Sequence, residues 1–202
     1  MDVVAHVLWA GAATVLVARR RPVTRRAVAA TLVLAGLPDG LQFIPVLAWI
    51  LSGDGAWTTL LALATSLPGR EPPLPDVVWL ASHHLHCTAH SAVAAGVATV
   101  VAWIALRSLW LPLLGWWSHI LIDIFSHSAD YYAVPVLYPF TQRGFDGIAW
   151  NTPWFLALNY MTLAGVGVWL LLHRRGAYDR TPPGDGEAHG RDGQAVNTGV
   201  QR

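Results

Sequence analysis

Long runs of apolar residues almost free of charge recur along this chain, and nothing else in the sequence restricts its fold as much. A helix needs about 20 mostly apolar residues to cross the hydrocarbon of a bilayer. Residues 2–18, 27–51, 88–106 and 155–173 come close to that length. A fifth stretch, residues 109–126, is apolar but contains His119 and Asp123. Residues 56–67 are too short to span and are expected at the interface or in a re-entrant position. The pattern predicts an all-α integral membrane protein. It would be a polytopic bundle of about five transmembrane helices, with a broken second span and a long outer loop.

Composition agrees. Of 202 residues, 54% are hydrophobic and 12% charged, whereas a soluble domain carries about 25% charged residues. Every basic residue is an arginine, and the arginines fall in short blocks instead of along one face, so nucleic acid is not an expected partner. A single cysteine, Cys87, excludes an internal disulfide and a multi-cysteine zinc site, and reads as a small buried hydrophobe. The chain opens apolar and turns basic afterwards, the reverse of a secretory signal, so residues 3–18 are expected to remain as a helix.

Arginine placement sets the expected orientation. Arg19, Arg20, Arg21, Arg25 and Arg26 put the first connection in the cytoplasm, and Arg107 marks a second cytoplasmic turn. The connections holding Asp54, Arg70, Glu71 and Asp76, net acidic, and later Asp130, Arg143 and Asp146, then lie outside. His173, Arg174 and Arg175 end the last span on the inner side. Residues 1–175 form the expected transmembrane domain. Residues 176–202, rich in Gly, Pro and charge without apolar periodicity, are an expected disordered cytoplasmic tail.

Polar groups within these spans carry the functional information, because an Asp at a helix centre costs on the order of 2.5–3.5 kcal/mol to insert. Asp39 lies in GLPDGLQFIP, where Pro38 and Gly40 predict a broken helix, tolerated only where the freed backbone faces protein or a wet cavity. His119 and Asp123 are four residues apart and share a helix face, and His127 continues the stripe if the helix persists. Such a pair can offer imidazole and carboxylate to one divalent metal, zinc first and manganese second. It can equally be a hydrogen bond that stabilises a bundle. SHHLHCTAHS places His83, His84, His86 and His90 at the outer mouth of the third span. They cannot all share a face, and His90 is the leading candidate, followed by His86 and then His84. His6 alone would read as a packing residue, but the five-span topology brings it to the same outer level as Asp39, His90, His119, Asp123 and His127. Residues 127–154 form a long, aromatic-rich loop, suited to an interfacial belt or a substrate lid. Asp146 within it is a weaker site candidate, equally a turn aspartate.

The sequence resembles a known family in HVLWAG, LPDG, TAHS and HILIDIFSH followed by VPVLYPF, over roughly residues 1–172. These elements are similar to the YdjM-like bacterial inner-membrane proteins described as predicted metal-dependent hydrolases. The stretch HHLHCTAHS departs from that family's HR-x-x-THS type of element in carrying Ala89 before His90 and no nearby arginine. The resemblance implies His6, Asp39, His90, His119, Asp123 and His127 as site residues, an inner-membrane location and hydrolysis. More distantly, His119-x-x-x-Asp123 is similar to a ligand element of zinc-dependent phospholipases C, which suggests a phosphoester.

The expected function is therefore metal-dependent hydrolysis of an ester or phosphoester in a lipid-like substrate at the outer face. His6, Asp39, His86, His90, His119, Asp123 and His127 are the metal candidates. Asp39 or Asp123 is the alternative general base, and membrane lipid is the expected surrounding partner. Two other classes remain open: a transporter or channel using the cluster as a proton or metal-ion pathway, and a non-catalytic protein with a structural metal.

Overall fold

A computed structural model describes residues 1–178, with side chains through His173. The described residues form eight helices and no strand. In chain order these are α1 (Val3–Ala18), α2 (Arg25–Leu41), α3 (Ile44–Leu51), α4 (Trp57–Thr65), α5 (Asp76–Ala89), α6 (Ala92–Leu106), α7 (Leu113–Ser126) and α8 (Pro153–Tyr178). The last helix runs past the boundary expected at residue 175, and the rest of the predicted tail lies outside the described residues.

Local chemistry explains where the helices start. Asp2 accepts a hydrogen bond from the Ala5 N–H at 3.0 Å and caps α1. Thr24 does the same for α2 from Ala27 at 3.2 Å, and Ser91 caps α6 from Val93 and Ala94. Each side-chain oxygen satisfies a donor that the first helical turn leaves free.

Among the described residues, one helix is long and apolar enough to cross a membrane. Pro153–His173 holds 21 residues with a mean hydropathy of 1.8, and at a rise of 1.5 Å per residue it covers roughly 31 Å. Two bent pairs pass the same test if each is one span: α2 with α3, bent by 64°, and α5 with α6, bent by 63°. Helices α1 and α7 are apolar but shorter. The break expected at Pro38 and Gly40 falls slightly later, at Gln42–Phe43, so Pro38 lies inside α2. The stretch 88–106, read as one continuous span, is instead interrupted at His90–Ser91, with His83, His84 and His86 on the preceding helix.

Helices α1, α2 and α7 pack on one another, α8 lies against α1, and α5 crosses α2 and α3. Where α2 meets α7 the backbones touch, because a Cβ on Gly115 would run into the main-chain oxygen of Thr31. Only glycine permits that approach. It sets Gly115, one turn before His119, directly against the part of α2 that precedes Asp39.

Candidate metal centre

Alternating helix directions bring the polar residues to one end of the bundle. His6 sits in the first turns of α1 and Asp39 near the end of α2. His90 is at the α5–α6 break, His119 is at the middle of α7 and Asp123 is in its last turn. His6, His90, His119 and Asp123 are buried, and the Asp39 side chain is 19% exposed.

Four of these residues can hold one ion. Asp39, His90, His119 and Asp123 each offer a ligand atom, all within 4.8 Å of one another. His119 Nε2 lies 3.1 Å from His90 Nε2 and 3.1 Å from Asp123 Oδ2. His90 Nε2 is 3.5 Å from Asp123 Oδ2 and 3.5 Å from Asp39 Oδ1, and His119 Nε2 is 3.7 Å from Asp39 Oδ1. Zinc bonds to nitrogen and oxygen of about 2.0–2.1 Å give a tetrahedron with edges of about 3.3 Å. Five of the six edges, at 3.1–3.7 Å, bracket that length, and the Asp39–Asp123 edge is within 4.8 Å.

The partners of the other ring nitrogens decide what the cluster can be. His119 Nδ1 is 2.7 Å from the Ala35 carbonyl oxygen and His90 Nδ1 is 2.9 Å from that of His86. A carbonyl only accepts, so in the neutral rings both Nδ1 atoms carry the proton and both Nε2 atoms present lone pairs. Where both rings are neutral, two imidazole lone pairs and two carboxylates face one point, and such a set could hold a divalent cation; second-side carbonyl partners of this kind commonly orient metal-binding histidines. Charge balance agrees: two neutral imidazoles and two carboxylates match a divalent ion.

The surroundings fix this geometry through backbone contacts. The last carbonyls of α7 are satisfied by the returning loop: Phe125 O accepts from Ile148 N, Ser126 O from Trp150 N and His127 O from Gly147 N, at 2.9–3.0 Å. A Cβ on Gly147 would collide with the Phe125 oxygen, so the loop docks only with glycine there. At the α5–α6 break, Ala92 N donates to Val136 O at 2.8 Å and Ser91 Oγ to Tyr138 O at 2.5 Å. Ser91 thus serves as a helix cap. Ser126 Oγ donates to Asp123 Oδ1 at 3.2 Å, and the Met1 amino group pairs with the same oxygen.

The remaining sequence candidates lie around the four. His6 stacks on His119 with ring centroids 3.9 Å apart, and its Nε2 is 2.9 Å from Asp123 Oδ1 without hydrogen-bond alignment, leaving both ring nitrogens unpartnered. His127 is outside the helix, at the extended C-cap of α7; its Nδ1 is 3.5 Å from Asp123 Oδ1 and 3.2 Å from the Asp123 main-chain oxygen. His86 stands apart from the four, with its ring 4.2 Å from that of His90 and its Nδ1 buried without a partner. His84 turns away to Tyr138 and His83 to Trp79 and Cys87. Asp146 accepts from Ala129 N at 2.8 Å, as a turn aspartate does. Sequence reasoning missed Ser126, whose three-residue spacing from Asp123 was the available signal. The Ala35 and His86 carbonyls had no signal at all.

A cavity of about 540 Å³ reaches this cluster on the Asp39 side, where Asp39, His86 and His127 line it. Its outer wall includes Glu71 and Tyr132, joined across two loops by a 2.8 Å hydrogen bond from the phenol to the carboxylate. Burial, together with that carboxylate, pushes the Tyr132 phenol up to about 12. Phe43, Leu63 and Leu74 add an apolar wall.

No family model, curated protein or solved structure matches this chain.

Proposed function

We propose that the protein is a membrane-embedded, metal-dependent hydrolase acting on an ester or phosphoester of a lipid-like substrate. The observation that carries this reading is the pair of carbonyl-anchored histidines, His90 and His119, whose Nε2 lone pairs meet two carboxylates at tetrahedral spacing. His90, His119 and Asp123 are the buried ligands, and Asp39 stands at the cavity edge with Oδ2 unpartnered. A divalent ion in such a site, zinc or manganese, supplies Lewis acidity and lowers the pKa of its water toward ~7. Asp39 is placed to take a proton from a water in the cavity, as fourth ligand or as general base. His86 and His127 face the same cavity and orient the substrate's polar head, while Phe43, Leu63 and Leu74 receive apolar substrate atoms.

The setting is the bacterial inner membrane, with α1, α2–α3, α5–α6, α7 and α8 as the five spans and the site toward the outer side. The low charge content and the arginine-bearing connections support that arrangement. The resemblance to the YdjM-like family supports the same activity. Burial of three of the four ligands is the observation favouring the alternative of a purely structural metal. A transporter or channel pathway would need polar groups across the whole bundle, whereas these occupy one end.

Elemental analysis of the detergent-purified protein, beside a folded His119→Ala/Asp123→Ala variant, tests the site. Near-stoichiometric zinc or manganese in the wild type and none in the variant is expected. Chelator-sensitive hydrolysis of phospholipid or lipid-linked phosphoester substrates then separates an enzyme from a structural site. Absence of metal from both proteins after incubation with divalent ions at neutral pH would remove the basis of the proposal.

A further inference from the structure

The two oxygens of Asp123 face two different groups of imidazoles. Oδ2 faces His90 and His119, at 3.5 and 3.1 Å, and belongs to the four-residue cluster. Oδ1 faces the other way, toward His6 Nε2 at 2.9 Å and His127 Nδ1 at 3.5 Å. His6 is fully buried; its Nδ1 has no partner, and its Nε2 meets Asp123 Oδ1 at 2.9 Å without hydrogen-bond alignment. A misaligned contact between two buried polar atoms is costly, and an ion coordinated by both would satisfy them. Its ring lies stacked on His119, only 27° from parallel, so the two Nε2 atoms approach the two oxygens of one carboxylate side by side.

We infer that Asp123 is a bridging ligand and that a second divalent cation binds between His6 Nε2 and Asp123 Oδ1. This rests on the metal-dependent reading above and extends it from one ion to two. His127 completes the second position from the cavity side by exchanging its contact with the Asp123 main-chain oxygen for the ion. Neither His6 nor His127 belongs to the four-residue cluster, so the second position uses side chains the first leaves idle. Two cations joined by one carboxylate suit a phosphoester, because a pair of ions can stabilise both the entering and the leaving oxygen of an in-line displacement. The substrate class narrows accordingly, from esters in general to phosphoesters.

Manganese is the probe for the test. The full-length protein in detergent is stripped with chelator and titrated with Mn²⁺ by equilibrium dialysis, and the loaded samples are examined by electron paramagnetic resonance. Two ions per chain with an exchange-coupled spectrum are expected for the wild type. His6→Gln should hold one ion and give an uncoupled spectrum, with a cooperative thermal transition in the metal-free state showing that it is folded. One ion per chain in both proteins would overturn the second position and leave the first standing. No ion in the wild type would overturn both. Two ions in His6→Gln, or two uncoupled ions in the wild type, would place the second ion elsewhere and also overturn the inference. The wild-type count and coupling decide the matter even if the variant fails to fold.

Discussion

Replacing Asp39 by Asn separates a metal site from a self-contained hydrogen-bond network. In the metal-free protein the Asp39 and Asp123 carboxylate oxygens lie within 4.8 Å of each other, with the Nε2 atoms of His90 and His119 beside them. At an effective dielectric constant near 20, two unit charges at that separation repel by about 3.5 kcal/mol. Asp39 is 19% exposed, so water screens part of this, and about 1–2 kcal/mol is a reasonable remainder. Asp39→Asn removes the charge, keeps the shape and adds an amide donor facing acceptors. Against this, the variant loses the contacts of the Asp39 carboxylate with His90 and His119, at 3.5 and 3.7 Å. The two effects oppose each other, so the metal-free variant should melt within roughly 2–4 °C of the metal-free wild type, the shift that about 1 kcal/mol gives at this chain length. With metal the wild type should be clearly the more stable. At a free ion concentration of 100 times Kd the wild type gains about 2.7 kcal/mol, or roughly 5–11 °C, whereas the variant gains much less. The assay is thermal unfolding in detergent, with chelator and with zinc. A variant less stable than wild type under chelator, with the same metal-induced shift, would refute the reasoning: Asp39 would then be a hydrogen-bond partner and not a ligand.

Two further outcomes follow from the packing and from the loops. Gly115→Ala forces α7 away from the Thr31 oxygen of α2, and overpacking of this kind costs about 1–3 kcal/mol. It should lower the melting temperature and, by displacing His119 from Ala35, weaken metal binding. Gly96→Ala, where a Cβ meets nothing within 4 Å, should do neither. Tyr132 holds its proton up to about 12 because of burial and the Glu71 carboxylate, so its raised value favours the folded state below the ordinary phenol range near 10, and that contribution is lost as pH rises from about 10 to 12. Ultraviolet difference titration of wild type against Tyr132→Phe should show this late step, and Glu71→Gln should bring it to lower pH. An unchanged step in Glu71→Gln would mean that the two loops are not joined there.

The amino-acid sequence by itself determined which segments are apolar helices and which polar residues sit at a cost within them. His119 and Asp123 were legible because four-residue spacing on a helix is a local property that needs no knowledge of neighbours. Pro38 announced an irregular α2, although the bend itself falls at Gln42–Phe43. The histidine-rich stretch was legible as a cluster led by His90, but not as two helices, because the chain bends by 63° at His90–Ser91. That bend is satisfied by Val136 and Tyr138, contributed from more than 40 residues away. His127 could not be placed from its spacing either, since α7 stops at Ser126, where the Gly147–Trp150 backbone caps its last carbonyls. Only the tertiary structure decided which groups the ring nitrogens face. The Ala35 carbonyl on α2 orients His119 on α7, and main-chain acceptors, present at every residue, leave no mark in a sequence. Local spacing thus selected the chemistry, and long-range backbone contacts aimed it at one point.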